Sequence, residues 1–430
     1  MITYKTTAMK KTNILILGFL IISAANFAQR SNIWHFGYGA SVDFSSGSPV
    51  GMLGSQINTI EGCASICDES GNLLFYTDGQ TVWDKNNSQM PNGTGLYGSG
   101  TSTQSAIIVP KPGSTTEYYI FTVDWPDYYD SGVTIHGINY SIVDMTMNSG
   151  DGDVSVKNQM MLDPYVNPSA EKITAIMHSN NTDYWVIAHG WNDNNFYSWL
   201  VTSSGVQSSP IVTSVGLVHE DVGSGAKTES HGYMKTSPDG TWLGLAIQSN
   251  INKAELFEFD RATGIPSNPV TLNVASGGMM SGAYGLEFSP NSEVLYVSRG
   301  NKISQWDLTA GSAAAIASSR NTITIPGASS RWAGALQLAL DDKIYVAINP
   351  ETYLHVINNP NALGASCNYQ DSVVDLLGEE NRMGLPTFFP AFFSDELQIT
   401  AGSQPPTCPG DCDGEANVVP LNGKAPYQYE

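Results

Sequence analysis

Histidines and carboxylates crowd the middle of the chain: His178, His189, His219 and His231, with Glu220, Asp221 and Glu229 among them. Imidazole and carboxylate in that combination are transition-metal ligands, and His189, His219 and His231 are the three that a β-fold can bring to one point. The same side chains serve equally as polar loop residues held by hydrogen bonds. His219-Glu220 also lacks the second histidine at helical spacing that a zinc-protease motif requires. Oxygen donors alternate in NSGDGD at 148–153 and again at Asp411 and Asp413, as in a Ca²⁺ loop. Neither stretch has the downstream glutamate that closes such a loop, so both read as Asp-Gly turns and no cofactor is expected. GTGLYG at 93–98 matches a dinucleotide fingerprint in letters only, because it follows Pro91-Asn92 with no helix behind it. GSGAKT at 223–228 lacks the Gly-Lys pair of a phosphate loop, and no GxSxG elbow occurs. The chain carries no nucleophile signature, and no catalytic residue is assigned.

The elements that must position these residues repeat along the chain. YMKTSPDGTWLGLA at 233–246, LEFSPNSEVLYVS at 286–298 and LQLALDDKIYVA at 336–347 each run an apolar stretch into a tight polar turn and then into an aromatic-rich stretch. Self-similarity of this kind, with β-branched and aromatic residues alternating between turns, is the signature of propeller blades. First strands are expected at 61–67, 104–110, 172–178, 231–237, 284–289, 333–340 and 384–389, which makes an all-β, seven-bladed β-propeller. The last of these has no strands after it, whereas NIWHFG at 32–37 and SVDFSSG at 41–47 precede the first complete blade. The spacing therefore predicts a ring closed by the C-terminal strand pairing with the N-terminal ones, which removes an open edge.

Strands that alternate in direction sort the connections onto two faces. One face receives short turns such as SPDG and SPNSE. The other receives longer, aromatic segments, including 124–132, 189–195, 217–230, 273–282, 326–332 and 376–384. Long loops on a rigid scaffold are where binding concentrates. The expected ligand contacts are Trp125, Tyr128, Tyr129, Trp191 and Trp332, joined by Arg331 and Arg382, since cations are scarce in this chain and can pair with a carboxylate or sulfate.

The compartment is read from the N-terminus. A basic start at Lys10-Lys11, an apolar core over 14–22 and a small-residue exit ending near Ala28 make residues 1–28 a signal peptide. Lys and Arg total 19 against 40 Asp and Glu, a net charge of −21 that opposes nucleic acid or anionic membrane as a partner. Five cysteines leave an odd thiol under any pairing. Cys63 and Cys67 lie too far apart along a strand to bridge each other, and Cys408 and Cys412 in CPGDC are the expected disulfide.

The stretches EGCASICDESGNLLFYTDGQTVWDKN at 61–86, MPNGTGL at 90–96 and STQSAIIVPKPGSTTEYYIFTVD at 102–124 resemble the N-terminal propeller of large surface proteins of Bacteroidetes. CPGDCDGEANVVPLNGKAPYQYE at 408–430 resembles the opening of the SprB-type repeat of gliding-motility adhesins. The resemblance implies a propeller over 29–397, a linker over 398–407 and a truncated, sandwich-type repeat over 408–430 that has too few strands to fold alone. It also implies a secreted or cell-surface protein, with type IX secretion as the route. The resulting expectation is a non-catalytic adhesion module that binds an extracellular glycan or surface protein through its long-loop face. The alternative is an extracellular propeller enzyme acting on polysaccharide or lactone substrates through residues at the channel mouth.

Overall fold

The computed structural model describes residues 27–126, 132, 134–220, 227–248, 252–275, 282–326, 331–388, 390–392, 399–404 and 415–420. The expected signal peptide and the Cys408–Cys412 pair lie outside these residues, apart from the end of the former. The chain forms seven blades around one axis. Blade I is Ala64–Cys67, Leu73–Thr77, Thr81–Asp84 and Gln89–Thr94, an antiparallel meander. Four-stranded blades follow over 106–162, 234–273, 286–324 and 332–375, and the blade over 169–219 carries one additional short strand. We number these II to VI in chain order, with 169–219 as blade III.

Blade VII joins the two ends of the propeller. Ile33–Phe36, Ala40–Asp43 and Val50–Met52 pair in sequence order. The third of these strands was not expected from the sequence and completes the outer edge. The C-terminal segment runs inside them: Thr387 N–H donates to Cys63 O at 2.9 Å, Pro386 bridges Cys63, and Phe388 packs on Trp34 with ring centroids 5.6 Å apart. The seam is thus closed by side chains as well as backbone, and Trp34, Phe36 and Val42 are wholly buried.

Alternation of apolar residues places Ile107, Val186, Leu245, Val297 and Val346 in the core between blades. Helix is confined among the described residues to Ala313–Ser318, capped by the Ser312 side chain, and short 3-10 turns. No helix among them is long and apolar enough to cross a membrane. Cys63, Cys67 and Cys367 are buried and free, so none pairs with another. The tail is not wholly without structure, since Ile399–Gln404 and Glu415–Pro420 form a two-stranded ladder apart from the blades. Two strands alone are marginal in water.

Candidate active site at the channel mouth

Glycines decide how closely the first strands approach. A Cβ on Gly384 would lie 1.8 Å from the Glu61 carbonyl oxygen, one on Gly334 2.3 Å from that of Met383, one on Gly285 2.2 Å from that of Gly334, and one on Gly62 2.1 Å from Ser105 N. No side chain fits such spaces, so neighbouring first strands touch backbone to backbone. Tyr233 N–H donates to Tyr284 O at 2.8 Å and Ala335 N–H to Met383 O at 2.7 Å. Residues at the openings of these strands, widely separated in the chain, are thereby gathered at the axis.

Three blades contribute charge there. Glu171, at the start of blade III, is wholly buried; its Oε2 accepts the Thr103 N–H at 2.7 Å and the Thr103 hydroxyl at 2.8 Å. Its Oε1 faces His231 Nε2 at 3.3 Å without the alignment of a hydrogen bond. His231 Nδ1 lies 2.9 Å from Gln248 Oε1. Glu61, opening blade I, is half-buried, and its Oε2 has no hydrogen-bond partner among the described residues. Burial raises its pKa well above the usual carboxylate range and the charge of Glu171 raises it further, while the Tyr284 hydroxyl acts in the opposite sense. Burial also raises Glu171, opposed by His231 and the Thr103 donors. Two coupled carboxyl groups in a low-dielectric site cannot both ionise freely, so one keeps a proton while the other accepts one.

A cation and two neutral imidazoles back this pair. Lys172 Nζ donates to the backbone carbonyls of Glu229, Ser230 and His231 at 3.3, 2.8 and 2.5 Å, pinning the turn that carries His231. Burial pushes the Lys172 pKa down to about 7, against the pull of Glu171 and Glu229. His189 and His219 stack at 4.1 Å and are both wholly buried. Burial pushes His189 down to about 3 and His219 well below its ordinary value, so both are neutral. They do meet, as the sequence suggested, but as a stacked pair. Among the described residues no group of three His, Cys, Asp or Glu side chains is arranged to hold a metal.

The expected aromatic contacts fare unevenly. Trp191 is corrected: it is 2 % exposed, because 189–195 is a tight hairpin turn rather than a long loop and folds the indole inward. Trp332 opens a strand and packs partly on the main core, and Trp125 is half-buried. Tyr128 and Tyr129 lie outside the described residues. Arg331 and Arg382 are already paired, with Glu351 at 2.5 Å and Glu380 at 3.0 Å, and Arg382 also lies over the Tyr38 ring at 4.4 Å. Glu61, Glu171, Lys172 and Tyr284 were missed as site residues. The available signal was a charged or aromatic residue at the opening of strands that are otherwise apolar.

No family model matches the chain, and no curated protein matches its sequence. Its fold is similar to that of a Lactobacillus plantarum protein (14 % identity, TM-score 0.48, 82 % of this chain and 98 % of that one). It is similar to a 6-phosphogluconolactonase candidate from Bacteroides fragilis (9 %, 0.47, 83 % and 96 %) and to the periplasmic gluconolactonase of Pseudomonas aeruginosa (12 %, 0.42, 79 % and 81 %). At these values the likeness is one of fold. The expectation of a non-catalytic adhesion module is corrected here. The mouth of this propeller holds incompletely paired carboxyl groups where a passive plug would hold apolar side chains.

Proposed function

We propose that the chain is an exported propeller enzyme that hydrolyses a lactone or polysaccharide by general acid–base catalysis at the channel mouth. The observation that carries this reading is that Glu61 and Glu171, at the openings of inner strands in blades I and III, each keep one buried carboxyl oxygen, Oε2 and Oε1, without a hydrogen bond among the described residues. Glu171 Oε1 takes a proton from water as the new C–O bond forms. Glu61, held protonated, delivers its proton to the oxygen that leaves as the old C–O bond breaks. His231 and Thr103 orient Glu171, and Lys172 fixes the turn on which His231 sits. The expected signal peptide and the adhesin-like tail make the substrate an extracellular one in this reading.

The test is turnover of a panel of sugar lactones and polysaccharides by the wild type, Glu171→Gln and Glu61→Gln, with and without chelator. Either variant should lose about 10²- to 10⁴-fold in kcat, with an unchanged unfolding midpoint and no effect of chelator. Full activity in Glu171→Gln, or no turnover across the panel, overturns the reading.

A further inference from the structure

A second polar pocket opens in blade VI, built from different residues. It encloses about 620 Å³ and is lined by Arg331, Glu351, Thr352, Tyr353, Ser372 and Glu380. That volume is in the range of roughly 300–1,000 Å³ typical of small-molecule sites. Its wall is held rigidly from behind. Asn381, wholly buried, accepts the Ile348 N–H at 2.8 Å, donates through Nδ2 to Tyr353 O at 2.6 Å, and donates its own N–H to Glu351 O at 2.8 Å. The Glu351 carboxylate is 8 % exposed and clamped by wholly buried His355, whose Nε2 lies 3.1 Å from Oε2. The other ring nitrogen of His355 lies 2.5 Å from the Tyr369 hydroxyl.

This relay aims one cation. Arg331 Nε sits 2.5 Å from Glu351 Oε1 as an ion pair without the alignment of a hydrogen bond, and no hydrogen bond or ion pair of its two Nη groups occurs among the described residues. An arginine tethered through Nε and open at Nη presents a planar fork to a carboxylate, with its orientation prepaid. Beside it, Tyr353 is 36 % exposed and can stack on a sugar ring, and Thr352, Ser372 and Glu380 offer hydroxyl and carboxylate partners for sugar hydroxyls. Glu380 is itself neutralised by Arg382 at 3.0 Å, so it does not cancel the fork.

We propose that this pocket binds a uronic-acid saccharide, with the Arg331 guanidinium on its carboxylate and Tyr353 against its ring. The site is independent of turnover at the channel mouth and is tested by equilibrium binding alone. Calorimetry with trigalacturonate and a hyaluronan tetrasaccharide, and with the methyl ester of each, reads the carboxylate directly. At least one acid should bind about tenfold or more tighter than its ester, as expected for a charge-assisted bidentate contact. Arg331→Gln should abolish that preference while leaving ester binding unchanged, and Tyr353→Ala should weaken acid and ester alike. Equal binding of acids and esters, an acid preference that survives in Arg331→Gln, or no binding of either acid overturns the proposal. Glu171→Gln protein should bind as the wild type does, which separates this site from the catalytic one.

Discussion

His35 lies on the first described strand of blade VII and stacks on Tyr76 of blade I at 4.0 Å and 13°, across the seam between those two blades. It is 3 % exposed, and neither ring nitrogen has a hydrogen-bond partner among the described residues. Burial pushes its pKa down to about 3, against 6.5 for the unfolded chain. The folded state therefore holds this ring neutral while the unfolded state binds a proton as pH falls below 6.5. Stability contributed by the neutral ring is present above 6.5 and is lost toward 3. Between pH 7 and pH 4.5 the loss amounts to about 2–3 kcal/mol for this one group. It depends little on the folded value, because pH 4.5 is above it. Glu255 works the other way: burial raises its carboxyl to about 7, so its contribution falls as pH rises from 4.5. The readout is therefore the difference between His35→Phe and the wild type, from urea unfolding across that pH range. The variant should gain about 2–3 kcal/mol on the wild type between pH 7 and pH 4.5. Parallel pH profiles would show that His35 is protonated in the folded protein and that the seam is wetter than its geometry implies.

Two further substitutions probe the axis. Gly384→Ala places a methyl against the Glu61 carbonyl, an obstacle that cannot rotate away, and should cost at least about 3 kcal/mol. Turnover should fall with it, and a fully stable, active variant in thermal unfolding and lactonase assays would refute the close approach of these strands. Lower in the channel, Lys235 Nζ is buried on Glu287 Oε2 at 2.6 Å, Gln337 Oε1 at 2.7 Å and Leu336 O at 2.9 Å. Lys235→Met leaves Glu287 buried without its cation and should cost about 3–5 kcal/mol. Adding Glu287→Gln should recover most of that in a double-mutant cycle, and strictly additive costs would exclude coupling.

Blade number and ring closure were legible because both rest on local patterns. Apolar alternation marks a strand within a few residues, and an unpaired strand at one end with surplus strands at the other has only one economical solution. The fourth strand of the closing blade, Val50–Met52, escaped notice because its exposed Val50 and central Gly51 carry no alternation. Trp191 was misplaced for a related reason: HGWNDNN has loop composition, and nothing local reveals that its turn spans two residues, buries the indole and ties the Trp191 N–H to Pro168 O.

The candidate site is a different matter. Composition and repeat established an acidic, all-β ring, since those properties belong to single segments, whereas the polar residues that open its inner strands passed unread. Which of those residues meet was decided by the tertiary fold alone. Glu61 and Glu171 stand two blades apart, and only the contact of glycine-bearing strands brings them within electrostatic reach. Removal from water then shifts their protonation, as it does for His189 and His219, and burial is a property of the packed whole that no residue carries in its own identity.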